Sequence, residues 1–294
     1  MTAAPPPGRR IPFRVGLRHP VLGVTQRSGW LIEGRAGWAE WSPLPSWSRD
    51  EVIAAYRGAV EAAEHPFPDP IQASVAVNAM IPRVAPEVAA RMAAGSPCST
   101  LKVKVGDPEG EARVGAVREA AGAGVRIRVD ANGAWTVEEA VRALSRLRRY
   151  SIEYAEDPVA TLPEMAVLRR RAPLAIAAEM PVRVLEDVAE LGRLAAADLL
   201  VVKPQRIGGI RAALLAAELC GVPVVVSSAL ETSIGLSACL AVAAALPSSG
   251  HAHGIGTATL LSEDVTTEPL LPLDGRLTPR RVEPDLLLAG APGS

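Results

Sequence analysis

The stretch DLLVVKPQRIGG, residues 198–209, contains the pattern that predicts the fold. Its uninterrupted leucines and valines indicate a strand buried on both faces, and Lys203 stands where that strand ends. The residues that follow, up to the next apolar run at 222–228, have the Ala- and Leu-rich composition of a helix. This part of the chain therefore predicts one strand, a polar strand end and one helix.

The same order of strand, polar end and helix repeats from about residue 73. The starts of successive apolar runs are separated by 27, 24, 26, 23, 24 and 24 residues. The seven runs are SVAVNA (74–79), LKVKVG (101–106), VRIRVD (125–130), SIEYAED (151–157), LAIAAE (174–179), DLLVVKP (198–204) and VPVVVSS (222–228). Such alternation predicts a parallel sheet with right-handed crossovers. With a candidate eighth strand near HAHGIGT, it favours a closed TIM-like (β/α) barrel over an open doubly wound sheet, for which no GxGxxG follows the first strand.

One of the intervening helices also has a clear start signal. Thr136 precedes the helical pattern VEEAVRALSRL, and Glu138 and Glu139 lie in the predicted first turn. A threonine accepts hydrogen bonds from the free N–H groups at a helix start, and acidic residues there complement the helix dipole. We therefore predict a helix that begins directly after Thr136.

The remaining parts of the chain predict a second, smaller unit. Residues 1–72 contain four of the five tryptophans and read as strands and turns followed by a helix. We predict that they form an α+β domain that caps the barrel mouth. The barrel itself is assigned to residues 73–262, and the leucine- and proline-rich tail, 263–294, is expected to pack back on the cap.

Composition excludes several classes of partner. The net charge of −1 gives no electrostatic basis for binding nucleic acid or an anionic membrane. No apolar run has the length of a membrane span, and the amino terminus lacks the apolar stretch of a secretion signal, so a cytoplasmic location is expected.

Cys98, Cys220 and Cys239 are odd in number and far apart, which indicates buried thiols. The oligomeric state is left open by the sequence.

Three carboxylates stand at the ends of successive predicted strands. Asp130, Glu156 and Glu179 are spaced 26 and 23 residues apart. Because barrel strands present their carboxyl ends to one shared mouth, these groups are expected to converge and to repel one another. A hard divalent cation would remove the repulsion, and oxygen ligands favour Mg²⁺ or, as a substitute, Mn²⁺.

The lysines are few, and all stand at strand ends. The chain has three lysines, Lys102, Lys104 and Lys203, against 28 arginines. Lysine can release its proton when buried or crowded by another cation, whereas arginine cannot. Lys102 and Lys104 are two residues apart, so they point to the same face of their strand, while Lys203 is expected across the mouth. Lysines beside a metal suit the removal of a proton next to a carboxylate, which predicts a small-molecule carboxylate substrate.

At this point the motifs resemble a known family. The KxK of LKVKVG, the Asp-x-Asn of RVDANGAW, the Glu-Asp-Pro of EYAEDP, the acid of AIAAEM and VVKPQRIGG are similar to motifs of the enolase superfamily. Within its muconate-lactonizing subgroup, GWAEWSPLPSWS, SVAVNAMIP and SSALETSIG most resemble the o-succinylbenzoate synthase family. The resemblance implies an enolase-type barrel capped by the N-terminal region and C-terminal tail. It also implies Mg²⁺-dependent dehydration of a cyclohexadiene carboxylate. One departure is Glu179, where the family often has aspartate.

The resemblance also implies roles for individual residues. Asp130, Glu156 and Glu179 would bind Mg²⁺, with Asn132 and Asp157 orienting these ligands. Lys104 would remove the α-proton and then protonate the departing hydroxyl, Lys102 would tune Lys104, and Lys203 would be a fixed cation on the other side. Candidates for holding the succinyl tail are Gly208, Gly209, Ser227 and Ser228, for which ordinary turns are an equal alternative.

Other functions remain compatible with the same residues. An N-succinylamino acid racemase or dipeptide epimerase needs the same metal site and a lysine on each face of the substrate. A Schiff-base aldolase would use Lys203 as its nucleophile, and a barrel that only binds a ligand would use none of these groups chemically. His251 and His253 form an HxH pattern, which we interpret as packing in the eighth strand.

Overall fold

The N-terminal region forms an antiparallel sheet that packs on one helix. The computed structural model describes residues 8–21 and 23–289. Its first three strands are β1 (Arg10–Val21), β2 (Val24–Gly34) and β3 (Gly37–Trp41), in that order across the sheet, followed by α1 (Arg49–Glu64). In β1, Ile11, Phe13 and Val15 are buried and alternate with exposed residues, so one face of the strand packs inward.

Helix α1 begins at a capping box. The Glu51 N–H donates to Ser48 Oγ at 3.3 Å, and the Ser48 N–H donates to Glu51 Oε2 at 2.7 Å. Two N–H groups that the helix itself leaves free are thereby satisfied.

The second part of the chain is a seven-stranded parallel sheet with helices between the strands. Neighbouring strands follow the chain order from β5 to β11, as expected for consecutive right-handed crossovers. The strands are β5 (Ala79–Ile81), β6 (Thr100–Lys104), β7 (Arg126–Asp130), β8 (Ile152–Glu156), β9 (Ile176–Ala178), β10 (Leu199–Val202) and β11 (Val224–Val226). The helices are α2 (Pro86–Ala94), α3 (Gly110–Ala121), α4 (Val137–Leu147), α5 (Leu162–Arg169), α6 (Leu185–Leu194), α7 (Pro204–Ile207), α8 (Ile210–Leu219) and α9 (Ser233–Ala245).

Two residues close the sheet into a ring. The N–H of Gly254 donates to the Val226 carbonyl at 2.7 Å, which joins this segment to β11. On the other side, the His253 N–H donates to the Ala76 carbonyl at 2.8 Å, and the Asn78 N–H donates to the His253 carbonyl at 2.9 Å. The eighth strand is therefore only a pair of bridges, and the predicted (β/α) barrel is confirmed.

The first predicted strand, 74–79, is divided in the structure. β4 (Val75–Ala76) pairs antiparallel with β12 (Arg276–Leu277), whereas β5 joins the barrel through β6. The division arises because the tail that follows the barrel adds its own strand to the outer end of this segment. Farther along the tail, before α10 (Leu286–Ala289), Arg281 donates to the carbonyls of Trp38 and Ala62 in the N-terminal unit.

The strands and helices enclose one large apolar core. The three cysteines are buried and form no disulfide. Among the described residues, no helix combines the length and the apolar character needed to cross a lipid bilayer.

Candidate active site

The ends of β6, β7 and β8 bring two lysines and two carboxylates into direct contact. Lys104 pairs in register with Asp130, and Asp130 with Glu156, so all three lie at the same height in the barrel. Lys104 Nζ is 2.7 Å from Asp130 Oδ2. Lys102 Nζ lies between the carboxylates, 2.8 Å from Asp130 Oδ2 and 2.6 Å from Glu156 Oε1. All four side chains are buried, so these ion pairs are protected from solvent screening.

A second group of charges lies at the ends of β9 and β10. Lys203 Nζ donates to Glu179 Oε2 at 2.6 Å, and Arg206 Nη1 donates to Glu179 Oε1 at 2.8 Å. Arg206 Nε also donates to Glu51 Oε1 at 2.6 Å. Glu51 belongs to α1, so the N-terminal unit reaches a predicted metal ligand through one arginine. Sequence reasoning missed Arg206, although its place three residues after Lys203, at the start of a helix, was a usable signal.

Asn132 and Asp157 shape the turns that follow β7 and β8. Asp157 accepts the backbone N–H groups of Glu179 and Met180 at 2.8 and 2.9 Å, which fixes the end of β9. Asn132 Oδ1 accepts a hydrogen bond from Lys104 Nζ at 3.0 Å. Both residues have positive φ, 52° for Asn132 and 42° for Asp157, a conformation that Asn and Asp tolerate better than most side chains.

The two lysines on β6 differ in their hold on the proton. Burial lowers the pKa of Lys104, and the Lys102 ammonium lowers it further, against the attraction of Asp130. Burial acts in the same direction on Lys102, but contact with Asp130 and Glu156 outweighs it and raises the pKa of Lys102. Lys104 is therefore the amine that releases its proton more readily, as expected for one member of a crowded pair.

The carboxylates Glu156 and Asp130 also differ in the direction of their pKa shifts. Burial raises the pKa of Glu156, and the nearby Asp130 adds to the effect, although Lys102 opposes it. For Asp130, the attraction of Lys102 and Lys104 outweighs burial and holds the pKa below its ordinary value. Additional positive charge at this point would therefore stabilise the ionised form of Glu156.

An acidic group here has the geometry to hold a metal ion. Asp130, Glu156 and Asp157 each offer a carboxylate oxygen, and these atoms lie within 4.8 Å of one another. Oxygen donors of this kind suit Mg²⁺, and the Lys102 ammonium between Asp130 and Glu156 marks a position that attracts a cation. The donor set thus fits the predicted ion. Glu179, the third ligand predicted from the sequence, directs both oxygens to Lys203 and Arg206.

A pocket opens above these charges. All three lysines of the chain line it, together with the hydroxyl residues Ser227, Ser228 and Thr257. Its apolar wall is formed by Val21 and Leu44 from the N-terminal unit and by Met80 and Leu230 from the barrel. The pocket therefore combines amines on one side, hydroxyl groups and an apolar cover.

The predicted tail-binding residues fall into two sets. Ser227 and Ser228 line the pocket. The N–H groups of Gly208 and Gly209 both donate to the Pro204 carbonyl, so neither amide is free to bind a ligand. Gly209 instead packs against Gly58 of α1, where a Cβ on Gly58 would lie 2.7 Å from the Gly209 Cα. This close approach favours packing over ligand contact for the two glycines.

A buried polar link between the N-terminal unit and the barrel was not predicted. Glu40 of β3 accepts the N–H groups of Thr232 at 3.0 Å and Gly235 at 3.1 Å, at the start of α9. Burial raises the pKa of Glu40 to about 7, with a further contribution from the nearby Glu231. Both acids also attract the buried guanidinium of Arg27. In the sequence Glu40 stands between two tryptophans, and nothing in that local pattern indicates a partner nearly two hundred residues away.

Titratable residues also occupy the opposite end of the barrel interior, which we call the barrel floor: Arg128, Glu153, His251 and His253. Arg128 Nε donates to Glu153 Oε2 at 2.5 Å, and Arg128 Nη1 donates to the Ala252 carbonyl at 2.6 Å. His251 Nδ1 is 2.9 Å from Glu153 Oε1. His253 Nδ1 accepts the Val226 N–H at 2.9 Å, so the HxH pattern serves packing and strand pairing.

A (β/α) barrel with buried lysines and carboxylates at the carboxyl ends of its strands defines a class of barrel enzymes that carry their site at that face. Comparison with known families makes the class specific. Residues 10–63 match the family model described as Enolase N-terminal domain-like, and residues 83–285 match Enolase C-terminal domain-like. An o-succinylbenzoate synthase of Thermobifida fusca is 48% identical over 276 residues, covering 92% of this chain and 87% of that protein. The chain belongs to the enolase superfamily and, within it, to the o-succinylbenzoate synthase family.

Solved structures support the same fold. The L-Ala-D/L-Glu epimerase of Bacillus subtilis superposes with a TM-score of 0.81 and 22% identity, over 94% of this chain and 96% of that one. The muconate lactonizing enzyme of Pseudomonas fluorescens has the same TM-score at 18% identity, with 94% of each chain covered. At these identities the likeness concerns the fold, which the sequence motifs had predicted.

Proposed function

We propose that this protein is a Mg²⁺-dependent dehydratase in menaquinone biosynthesis. Its substrate would be a 2-succinyl-6-hydroxy-cyclohexadiene carboxylate and its product 2-succinylbenzoate. The observation that carries the proposal is the 48% identity to an o-succinylbenzoate synthase across nearly the whole chain. The pocket with a lysine pair on β6 and Lys203 on the facing side supports it.

The metal site is proposed to consist of Asp130, Glu156 and Glu179, with Mn²⁺ as a possible substitute. A bound divalent ion would supply positive charge to the substrate carboxylate as the α-proton leaves. In the structure Lys203 and Arg206 compensate the charge of Glu179, and Asp157 fixes the backbone of the same residue. Asn132, bonded to both Asp130 and Lys104, would keep the carboxylate and the amine in register.

Lys104 is proposed to be both the base and the acid. In its neutral form, Nζ takes the proton as the Cα–H bond breaks. When the C–O bond of the β-hydroxyl breaks, the same proton passes to the leaving oxygen and water departs, which leaves an aromatic ring. Burial and Lys102 lower the pKa of Lys104, so the neutral form is accessible at a lower pH than for a free amine.

Lys203 is proposed to act as a fixed cation on the other side of the ring. It lies on the strand end next to β9, and its proton is held by Glu179 at 2.6 Å. The apolar wall would pack on the carbocycle, and Ser227 and Ser228 would approach the succinyl tail. The base and the fixed cation are thus assigned to different strands, β6 and β10, and the tail contact to the segment after β11.

A second candidate is an N-succinylamino acid racemase or dipeptide epimerase. The observation that favours it is that Lys104 and Lys203 line the same pocket from different strands, so each face of a substrate could meet an amine. The two reactions share proton abstraction and differ in whether a hydroxyl then leaves.

Turnover with both substrate types separates the candidates. Purified protein with Mg²⁺ should dehydrate the cyclohexadiene carboxylate, as followed by the absorbance of the aromatic product, and EDTA should abolish the activity. An N-succinylamino acid would be tested in parallel by polarimetry. Racemisation without dehydration would overturn the dehydratase assignment, and EDTA-insensitive activity would overturn the metal assignment.

A further inference from the structure

Arg27 of β2 is a buried charge that the chemistry described above does not use. Only 1% of its surface is exposed, although it lies in the N-terminal unit and not in the barrel. Burial lowers the pKa of Arg27, and the acids Glu40 and Glu231 partly offset that effect. An arginine is kept in such a place when its fixed, forked geometry is needed, since desolvating its charge is costly.

The Arg27 guanidinium joins two separate loops. Its Nε donates to the Leu230 carbonyl at 3.1 Å. Its Nη2 donates to the Ser42 carbonyl and, at 3.2 Å, to Ser42 Oγ. One loop follows β3 in the N-terminal unit, and the other follows β11 in the barrel. Arg27 therefore fixes the distance between the two units beside the pocket.

Each of the two loops contributes a leucine to the apolar wall of the pocket. Leu230 lines the pocket, and its φ of 66° is a left-handed conformation that leucine rarely adopts unless its surroundings hold it there. Ser42 lies two residues before Leu44, which also lines the pocket. Val21, a third member of the cover, pairs with Val24 in the hairpin that leads into Arg27's own strand.

We infer that Arg27 is a positioning and specificity-determining residue for the pocket. It holds Leu44 and Leu230 at the spacing that fits a carbocyclic ring, without contact to the substrate or to the metal site. The inference rests on the proposed function, because it concerns the fit of that substrate. It adds a role for the N-terminal unit that is separate from the Glu51–Arg206 contact.

The test compares Arg27→Lys with Arg281→Lys. Lysine keeps the charge of Arg27 but lacks the planar fork, so it cannot hold two carbonyls in the same geometry. Arg281 is a matched control, because it also bonds backbone carbonyls of the N-terminal unit but lies outside the pocket. We expect KM to rise about tenfold in Arg27→Lys and kcat to change less than about threefold, while Arg281→Lys leaves KM unchanged. Mg²⁺ affinity by calorimetry should be unchanged in both.

A double-mutant cycle protects the test against general loss of structure. In Leu230→Gly, the glycine can adopt the left-handed conformation without support from Arg27, but the variant lacks the leucine side chain of the apolar wall. Because Arg27 acts partly through Leu230, the KM effects of Arg27→Lys and Leu230→Gly should be less than multiplicative in the double variant. Multiplicative effects, an unchanged KM in Arg27→Lys, or an equal rise in Arg281→Lys would each overturn the inference.

The proposed function and this inference fail in different ways. KM is measured with whichever of the two substrate types the unaltered protein turns over. Racemisation alone would remove the dehydratase assignment and the fit to a carbocyclic ring, and the comparison of Arg27→Lys with Arg281→Lys would then test only whether Arg27 positions the pocket wall. Dehydration with a KM insensitive to Arg27 would remove the inference and keep the function.

Discussion

Both ends of the barrel interior contain buried ion pairs, but the cations are lysines at the mouth and an arginine on the floor. At the mouth, Lys102 and Lys104 of β6 meet Asp130 and Glu156. On the floor, Arg128 pairs with Glu153 of β8. Arg128 lies on β7, two residues before Asp130. Both sets are buried, so burial alone does not distinguish them.

The difference lies in whether the proton can move. On the floor, Arg128 is bound by Glu153 and the Ala252 carbonyl and lies over the Tyr154 ring, 4.6 Å from its centre. Its charge is permanent and its partners fix its geometry. At the mouth, two ammonium groups share carboxylates, and the pKa of Lys104 is lowered by burial and by Lys102. The comparison indicates a structural role for Arg128, whereas Lys104 is the residue that we propose to exchange a proton.

Exchanging the base at the mouth should have the largest effect. Lys104→Arg keeps the charge beside Asp130 but removes the ability to release a proton, so kcat should fall about 10³-fold. Thermal unfolding and Mg²⁺ affinity should stay near those of the unaltered protein. Near-normal turnover in this variant, measured by product absorbance, would refute the assignment of Lys104 as the base.

The free energy of unfolding should depend on pH because of His253 on the barrel floor. Burial lowers the pKa of His253 from 6.5 to about 4, helped by the nearby Arg128 and His251. Between these values the unfolded chain binds the proton and the folded protein does not, so stability falls as the pH falls from about 6.5 to about 4. The loss should approach about 3 kcal/mol.

Denaturant unfolding across this pH range tests the prediction against His253→Gln. Glutamine has an oxygen that can accept the Val226 N–H, but it does not titrate. The unaltered protein should lose more stability than the variant over the same pH interval. Because both proteins contain the same acidic residues, the difference between them isolates the contribution of His253. Parallel curves for the two proteins would contradict the assignment.

Glu179→Gln sharpens the comparison at the proposed metal site. Loss of the charge of this proposed ligand should weaken Mg²⁺ binding on the order of 100-fold, since even outer partners of metal ligands contribute 10–100-fold. Asp157→Asn is the matched control, because Asp157 lies in the acidic group but bonds backbone N–H groups with both oxygens. Titration calorimetry that finds weakened binding in Asp157→Asn alone would transfer the third ligand from Glu179 to Asp157.

The smallest effect is expected from the reverse exchange on the floor. Arg128→Lys keeps the charge opposite Glu153 but loses the forked contacts to Glu153 and Ala252, so the free energy of unfolding should fall by about 2 kcal/mol. Because Arg128 takes no part in proton transfer, kcat should change less than about twofold. A large loss of kcat with unchanged stability would show that the floor also serves the chemistry.

Features with a short-range signal were predictable from the sequence. The barrel followed from apolar runs that recur at nearly constant intervals, and the start of α4 followed from Thr136. The structure confirms the latter, since the Glu139 N–H donates to Thr136 Oγ1 at 3.3 Å and the Thr136 N–H donates to Glu139 Oε2 at 2.9 Å. Residues at strand ends were placed together because parallel strands share one mouth, which brought Lys104, Asp130 and Glu156 into one prediction.

Features that depend on distant segments were not predictable. The eighth strand is only His253–Gly254, too short for a periodic pattern, and β4 is paired by a strand from the tail. The place of Arg206, three residues after Lys203, was a usable signal for the residue itself, but no local pattern identifies Glu51 as its partner. Glu40 has no local signal for its contact to Thr232. Gly208 and Gly209 were candidates for ligand contact with ordinary turns as an equal alternative, and the choice depends on α1, where Gly209 packs against Gly58.

The contact between Arg206 and Glu51 has a consequence for engineering. Glu51 stabilises the first turn of α1 and also holds the arginine that binds Glu179. Grafting a foreign N-terminal unit onto this barrel to alter its selectivity would therefore need an acid at the equivalent helix position. In a chimera without it, Arg206 would lose its partner on α1 and keep its contact to Glu179, the proposed metal ligand, so weakened turnover would be mistaken for poor selectivity.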